Sequence, residues 1–174
     1  PYSMIAAVQP SERPGSPVDP DTPANAVIVN EWLARDINAN RGDTVELSYY
    51  VFDENRQLKE TSRELTVHGV VPIEGPTADP TLMPDFPGLA NAENCRDWQP
   101  GIPVDLEKIR PRDERYWDKY RGTPKAFIPL QTGQNMWSNR YGNLTAVRYS
   151  ETTDATIIRE GITGSVNPKN LGLF

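Results

Sequence analysis

Residues 43–71 read DTVELSYYVFDENRQLKETSRELTVHGVV, and their alternation decides the fold class. Val45, Leu47, Tyr49 and Val51 fall on one face of an extended chain; Thr44, Glu46, Ser48 and Tyr50 fall on the other. Asp53, Glu54, Asn55 and Arg56 make a polar turn, and Leu65, Val67 and Val71 continue on a return strand. The pattern predicts a β-hairpin. Gly69 predicts a bulge or a close approach near its end.

Upstream of the hairpin, AVIVNEWLARDINANRGD spans residues 26–43. Ala26 to Val29 is a short buried-strand pattern. Asn30 suits a helix N-cap, and Glu31 belongs in the favourable first turn. Leu33 and Ile37 lie one helical turn apart with Trp32 beside them. Asn40 and Gly42 are expected to end the helix. PYSMIAAV, residues 1–8, predicts another strand, and residues 9–25 read as a proline-rich linker.

Downstream, no periodicity survives from Pro72 to Val104. Pro111 suits the first turn of a helix through RDERYWDKYRG, closed by Gly122. KAFIPL predicts a strand, QTGQNMWSNR a short helix despite Gly133, and NLTAVRYS (143–150) a further strand. A last helix is expected from about Asp154 to Gly164, with Ile158 and Ile162 one turn apart. The expectation is an α+β fold, a mixed β-sheet with flanking helices and a long proline-rich insert at 72–122. A single domain is expected over residues 1–174.

Composition narrows the function classes. The chain has 174 residues, a formal net charge of −6 and 17 prolines, so long constrained loops separate its regular elements. The acidic balance argues against a nucleic-acid footprint. Arg110, Arg112, Arg115, Lys119, Arg121 and Lys125 form a basic run, but acids interleave with them, and a solvated, salt-bridged face is expected. No apolar run approaches the ~20 residues of a membrane helix. The chain opens on Pro1 without a charged leader, and a piece of a longer protein is expected.

Sites of chemistry are sparse. His68 is the single histidine, within a strand pattern, and reads as structural. Cys95 is the single cysteine; Arg96 beside it is of the kind that lowers a thiol pKa, yet a free cysteine commonly serves as a small buried hydrophobe. Together they are too few for a zinc site. No phosphate-binding or nucleophile-elbow motif is present, and no cofactor is expected. Trp98, Tyr116 and Trp117 are candidate partner contacts, since loop aromatics grip ligands or proteins. The competing role for each is to pin its segment to the core. NLT at residues 143–145 matches a glycosylation acceptor within an expected strand.

Several segments taken in order resemble the extracytoplasmic core domain of FtsX-like ABC transporter permeases of the MacB type. They are VIVNEWLARDINANRGDTVELSYYV, then TVHGVVP, KAFIPLQTGQNMW and LTAVRY. Asn30, Glu31, Leu33, Ala34, Gly42, Asp43, Val67, Gly69, Val70, Val71, Pro129 and Leu130 stand in the family's roles. The resemblance covers about half the chain, and Pro72–Gly122 looks like the insert of a subgroup. It implies a non-catalytic domain on the periplasmic or extracellular face of a bacterial membrane. Its partners would be the transmembrane helices of the parent permease, a separate cytoplasmic ATPase subunit and a periplasmic protein or lipid substrate.

Two other classes stay open. A secreted hydrolase or carbohydrate-binding domain would use the insert around Asp85, Asp97 and Trp98, with two facing carboxylates in a deep pocket. A small-ligand module would show an apolar cavity with a few converging polar groups.

Overall fold

The computed structural model describes residues 2–166 apart from positions 56, 100, 141 and 151. The chain divides into two compact units, Pro1–Leu144 and Thr145–Phe174.

The first unit carries a mixed five-stranded sheet of β1 (Ile5–Val8), β2 (Ala26–Asn30), β3 (Thr44–Phe52), β4 (Leu58–Val71) and β5 (Ala126–Pro129), in the order β1-β5-β2-β4-β3. β1 runs parallel to β5 and β2 parallel to β4; β2 is antiparallel to β5 and β3 to β4. Its helices are α1 (Glu31–Ile37), α2 (Pro111–Tyr120) and α3 (Leu130–Trp137). The second unit contributes α4 (Ala155–Ser165) among the described residues. The fold is α+β, as expected.

The hairpin forms as its alternation predicts. Val45 faces Leu65 and Leu47 faces Arg63 across β3 and β4. Asp53 closes the turn, its carboxylate accepting from the backbone N–H groups of Asn55 (2.9 Å) and Gln57 (2.8 Å). The bulge expected at Gly69 is present: β2 pairs Val27 with Val67 but Ile28 with Gly69, passing over His68.

β2 is buried on both faces, so consecutive residues feed two cores. Val27 and Val29 join Leu33, Ala34, Leu65, Val67 and Met136 beneath α1 and α3. Ile28 faces the other way, against Ala6, Phe127 and Val18. Val18 comes from the segment expected to be linker and is completely buried, so that segment covers the second core.

α1 begins where predicted: the Asn30 side chain accepts from the Leu33 N–H at 2.8 Å. It ends earlier than expected, because Asn38 takes the left-handed conformation (φ 52°) and sends its N–H to the Ala34 carbonyl. Gly42, at φ 96°, then serves the turn into β3. α2 starts on Pro111 and stops at Arg121, itself at φ 51°. A Cβ on Gly122 would displace only the tip of the flexible Met83 side chain. Gly133 is held in α3 more strictly, because a Cβ there would collide with the Ala7 Cβ of β1.

The strand expected over residues 143–150 is absent from the described part of that segment. Leu144, Val147 and Tyr149 are exposed there, and no strand among the described residues pairs with the segment. The glycosylation-like triplet 143–145 therefore lies outside regular structure.

The insert has no sheet of its own. Short 3₁₀ turns at Gly75–Ala78, Pro80–Leu82, Cys95–Asp97 and Leu106–Lys108 lead into α2. A third core of Cys95, Ile109 and Trp117, flanked by Tyr2, Ala92 and Trp98, holds it together.

Candidate functional site

The densest chemistry lies where the insert meets the sheet, around a buried lysine. Lys125 immediately precedes β5 and is 6% exposed. Its Nζ sits 4.1 Å from the centre of the Trp32 ring and 4.7 Å from that of Tyr116. It donates to the Tyr2 carbonyl at 3.1 Å and lies 3.8 Å from Asp113 Oδ1. Aromatic faces and a carboxylate thus replace much of its hydration. Burial still dominates and pulls the ammonium down to about 8, with the Asp113 charge opposing.

Asp113 continues the charge alternation. Arg110 grips it with two side-chain bonds, Nε to Oδ2 at 2.7 Å and a terminal nitrogen to Oδ1 at 2.9 Å. Burial pushes the Asp113 carboxyl up, but the Arg110 hydrogen bonds and the nearby Lys125 and Arg110 charges outweigh it, leaving the carboxyl below its ordinary value. The same Arg110 reaches Asp36 of α1 at 2.7 Å, and Arg112 pairs with the other Asp36 oxygen. The Asp36 side chain is 2% exposed, so its charge is balanced by two guanidinium groups rather than by water. The ladder runs Arg112–Asp36–Arg110–Asp113–Lys125, from α1 through α2 to the start of β5.

Asn30 ties the same three elements. Beyond capping α1, it donates from Nδ2 to the Tyr116 hydroxyl at 3.0 Å, and its backbone N–H goes to the Lys125 carbonyl at 2.8 Å. The Tyr116 hydroxyl in turn donates to the Thr123 carbonyl at 3.1 Å. Burial raises its phenol above the ordinary value.

The sequence candidates separate clearly. Tyr116 and Trp117 are each 3% exposed, so both rings are internal packing. Trp117 donates to the Ala92 carbonyl at 3.1 Å and meets Trp98 edge-on at 5.0 Å. Trp98 is half-buried, and its Nε1 is buried without an acceptor among the described residues. Cys95 is 1% exposed; burial first, then the Glu114 charge, pushes its thiol up to about 12. The activating effect considered for Arg96 is overruled by that environment. His68 stays half-buried on β4.

The basic run is not one solvated face. Arg115, Lys119 and Arg121 are exposed as expected, but Lys125 is buried and Arg110 lies between two buried carboxylates.

Beside Lys125, Cys95 and Trp98 the cavity measures about 20 Å³, room for one water. Asp113 is the carboxylate lining it, while Asp85 and Asp97 are both exposed elsewhere. A cleft for a sugar needs far more space and a second facing carboxylate. Among the described residues no three His, Cys, Asp or Glu side chains converge as a metal site, and no helix is long and apolar enough to cross a membrane.

Sequence reasoning missed Lys125 and Asp36. The available signal was the position of Lys125 between Pro124 and the apolar run AFIP, where a lone cation must find partners. Nothing local marks Asp36, whose partners lie 74 and 76 positions away. No family model, curated protein or solved structure matches the chain.

Proposed function

We propose that this chain is a non-catalytic interaction and coupling domain on the outer face of a bacterial membrane, part of an FtsX-like, MacB-type ABC permease. In that setting a cytoplasmic ATPase subunit drives the parent's transmembrane helices. The domain relays the motion to a periplasmic protein or lipid substrate, or to a partner that it activates.

The observation that carries this reading is the double fastening of the insert to the core. Asp36 and Asn30 bracket α1, and both are bound by α2, through Arg110 and Arg112 on one side and Tyr116 on the other. A displacement of β2 and α1 is therefore delivered to the insert through ion pairs and a buried hydrogen bond rather than a slack loop. The residues carrying the family resemblance support the reading by their placement. Asn30 to Ala34 form the strand-to-helix junction, Gly42 and Asp43 the turn into β3, and Pro129 and Leu130 the passage from β5 to α3.

The test is the full-length gene product. Apolar segments of ~20 residues on both sides of this domain, membrane fractionation and co-purification with an ATPase subunit are the expected results. A full-length protein that lacks such segments and stays in the soluble fraction overturns the proposal.

A further inference from the structure

β3 is the outermost strand of the sheet, and no strand among the described residues pairs with its outer edge. The direction of its backbone groups follows from two bonds. Val67 donates to the Asp43 carbonyl at 2.8 Å, and Asp53 donates to the Gln57 carbonyl at 2.9 Å. Antiparallel pairing alternates, so the odd-numbered residues of β3 bond to β4. The N–H and C=O groups of Thr44, Glu46, Ser48, Tyr50 and Phe52 point outward.

Native proteins blunt such edges with brevity, proline, lysine or bulges. The other edge strand, β1, has four residues. β3 has nine, with no proline, no lysine and no shift of register against β4. Its only charge is Glu46.

Two features beside this edge point to what it takes. First, an open groove of about 450 Å³ lies between the end of α1 and the start of β3. Ile37, Ala39 and Val45 line it together with Asn38, Asp43, Thr44 and Glu46, so an apolar patch sits beside two carboxylates. Ile37 is 37% exposed. Second, Glu46, which also borders the groove, stands directly opposite Glu64, and both are exposed. Their pair is of the non-hydrogen-bonded kind, which brings side chains closest. Like charges so placed destabilise a hairpin, and an incoming cation would relieve them.

We infer that the β3 edge is a docking site for an extended segment of a partner protein that alternates apolar and basic residues. Strand addition satisfies the five outward backbone positions. Alternate side chains then divide as a pleated strand requires: the apolar ones lie against Ile37 and Val45, and the Lys or Arg residues meet Glu46 and Glu64, with Asp43 at the groove adding to the attraction. The site lies on the hairpin and the end of α1. It stands whether or not the chain belongs to a permease.

The experiment uses a fluorescently labelled peptide of alternating lysine and valine, followed by anisotropy at low salt. Saturable binding is expected. About ten-fold weaker binding is expected for the same peptide N-methylated throughout, for an alternating glutamate–valine peptide, and for the protein carrying Glu46→Lys with Glu64→Lys. Ser48→Pro removes an outward N–H without touching a β3–β4 bond and should weaken binding likewise. Near-UV circular dichroism on each variant confirms that it is folded. Equal binding of the N-methylated peptide reduces the effect to charge attraction and overturns the inference. So does equal binding of the glutamate peptide. A dimer of the protein that Ser48→Pro dissociates assigns the edge to a second copy and overturns it too.

Discussion

The amide nitrogen of Asn30 lies 3.0 Å from the hydroxyl of Tyr116, joining the cap of α1 to the middle of α2 across 86 positions of chain. One side chain thus completes a helix terminus with its oxygen and anchors the insert with its nitrogen. Asn30→Ala should remove a cap worth about 1 kcal/mol. It also leaves a buried hydroxyl short of a donor, at about 1–3 kcal/mol. Asn30→Ser should restore the first contribution only. Urea unfolding of the three proteins checks this, the serine variant falling between the others.

Asp36 is held by Arg110 and Arg112, whose side chains are 35% and 44% exposed. Solvent screening of the partners moderates what the buried carboxylate contributes. Asp36→Ala should destabilise by about 1–3 kcal/mol. Its more telling effect should be local. Hydrogen exchange should accelerate in Pro111–Tyr120 well before the Leu58–Val71 strand responds. Uniform acceleration through both would show that the ladder does not fasten the insert.

Lys125 gives the fold an alkaline signature. Its pKa falls from 10.5 to about 8 on folding, so between those values the unfolded chain binds more protons, and stability rises with pH. From pH 8 to 9 this contributes about 1 kcal/mol. Above pH 9 the Cys95 thiol opposes it, because its folded pKa is raised from 9.0 to about 12 and the unfolded chain releases that proton first. Stability should therefore climb from pH 8 to near 9 and then level or decline. Urea midpoints across that range check the shape, and Lys125→Met should abolish the climb.

Cys95 should behave as a buried hydrophobe. At pH 8 a disulfide-exchange reagent should leave it unmodified in the native protein and react fully in denaturant. Reaction of the native thiol at the rate of a small-molecule thiol would contradict its burial.

The parts legible in the sequence are those dictated locally. The hairpin follows from the alternation of Val45 to Val51 around a turn built on Asp53, and the start of α1 from the capping chemistry of Asn30. The misreadings share one cause: a local pattern decides nothing unless a neighbour completes it. Residues 143–150 have strand-forming composition but no strand beside the described ones. Asn38, rather than Asn40 or Gly42, ends α1, since any asparagine at the right turn can adopt the left-handed conformation. Within the insert the helix from Pro111 is legible, but residues 72–104 show only an absence of period, because the order of the insert comes from distant partners: Arg110 with Asp36, Tyr116 with Asn30, and Trp117 with Ala92. Tyr116 and Trp117 looked like surface contacts for the same reason.

The pairing of β1 with β5 sets a timetable for biosynthesis. Ile5 lies beside Ala126, and the Lys125 N–H closes on the Met4 carbonyl. While the chain is being made, β1 emerges first and has no strand to join until β5 follows. The β3–β4 hairpin and α1 can assemble in the meantime, but the sheet stays open on the β1 side. Until the last strand arrives, Ala6 and Ala7 are exposed to whatever else is nearby, and a nascent chain stalled before Ala126 would present an unfinished sheet to the cell's quality control.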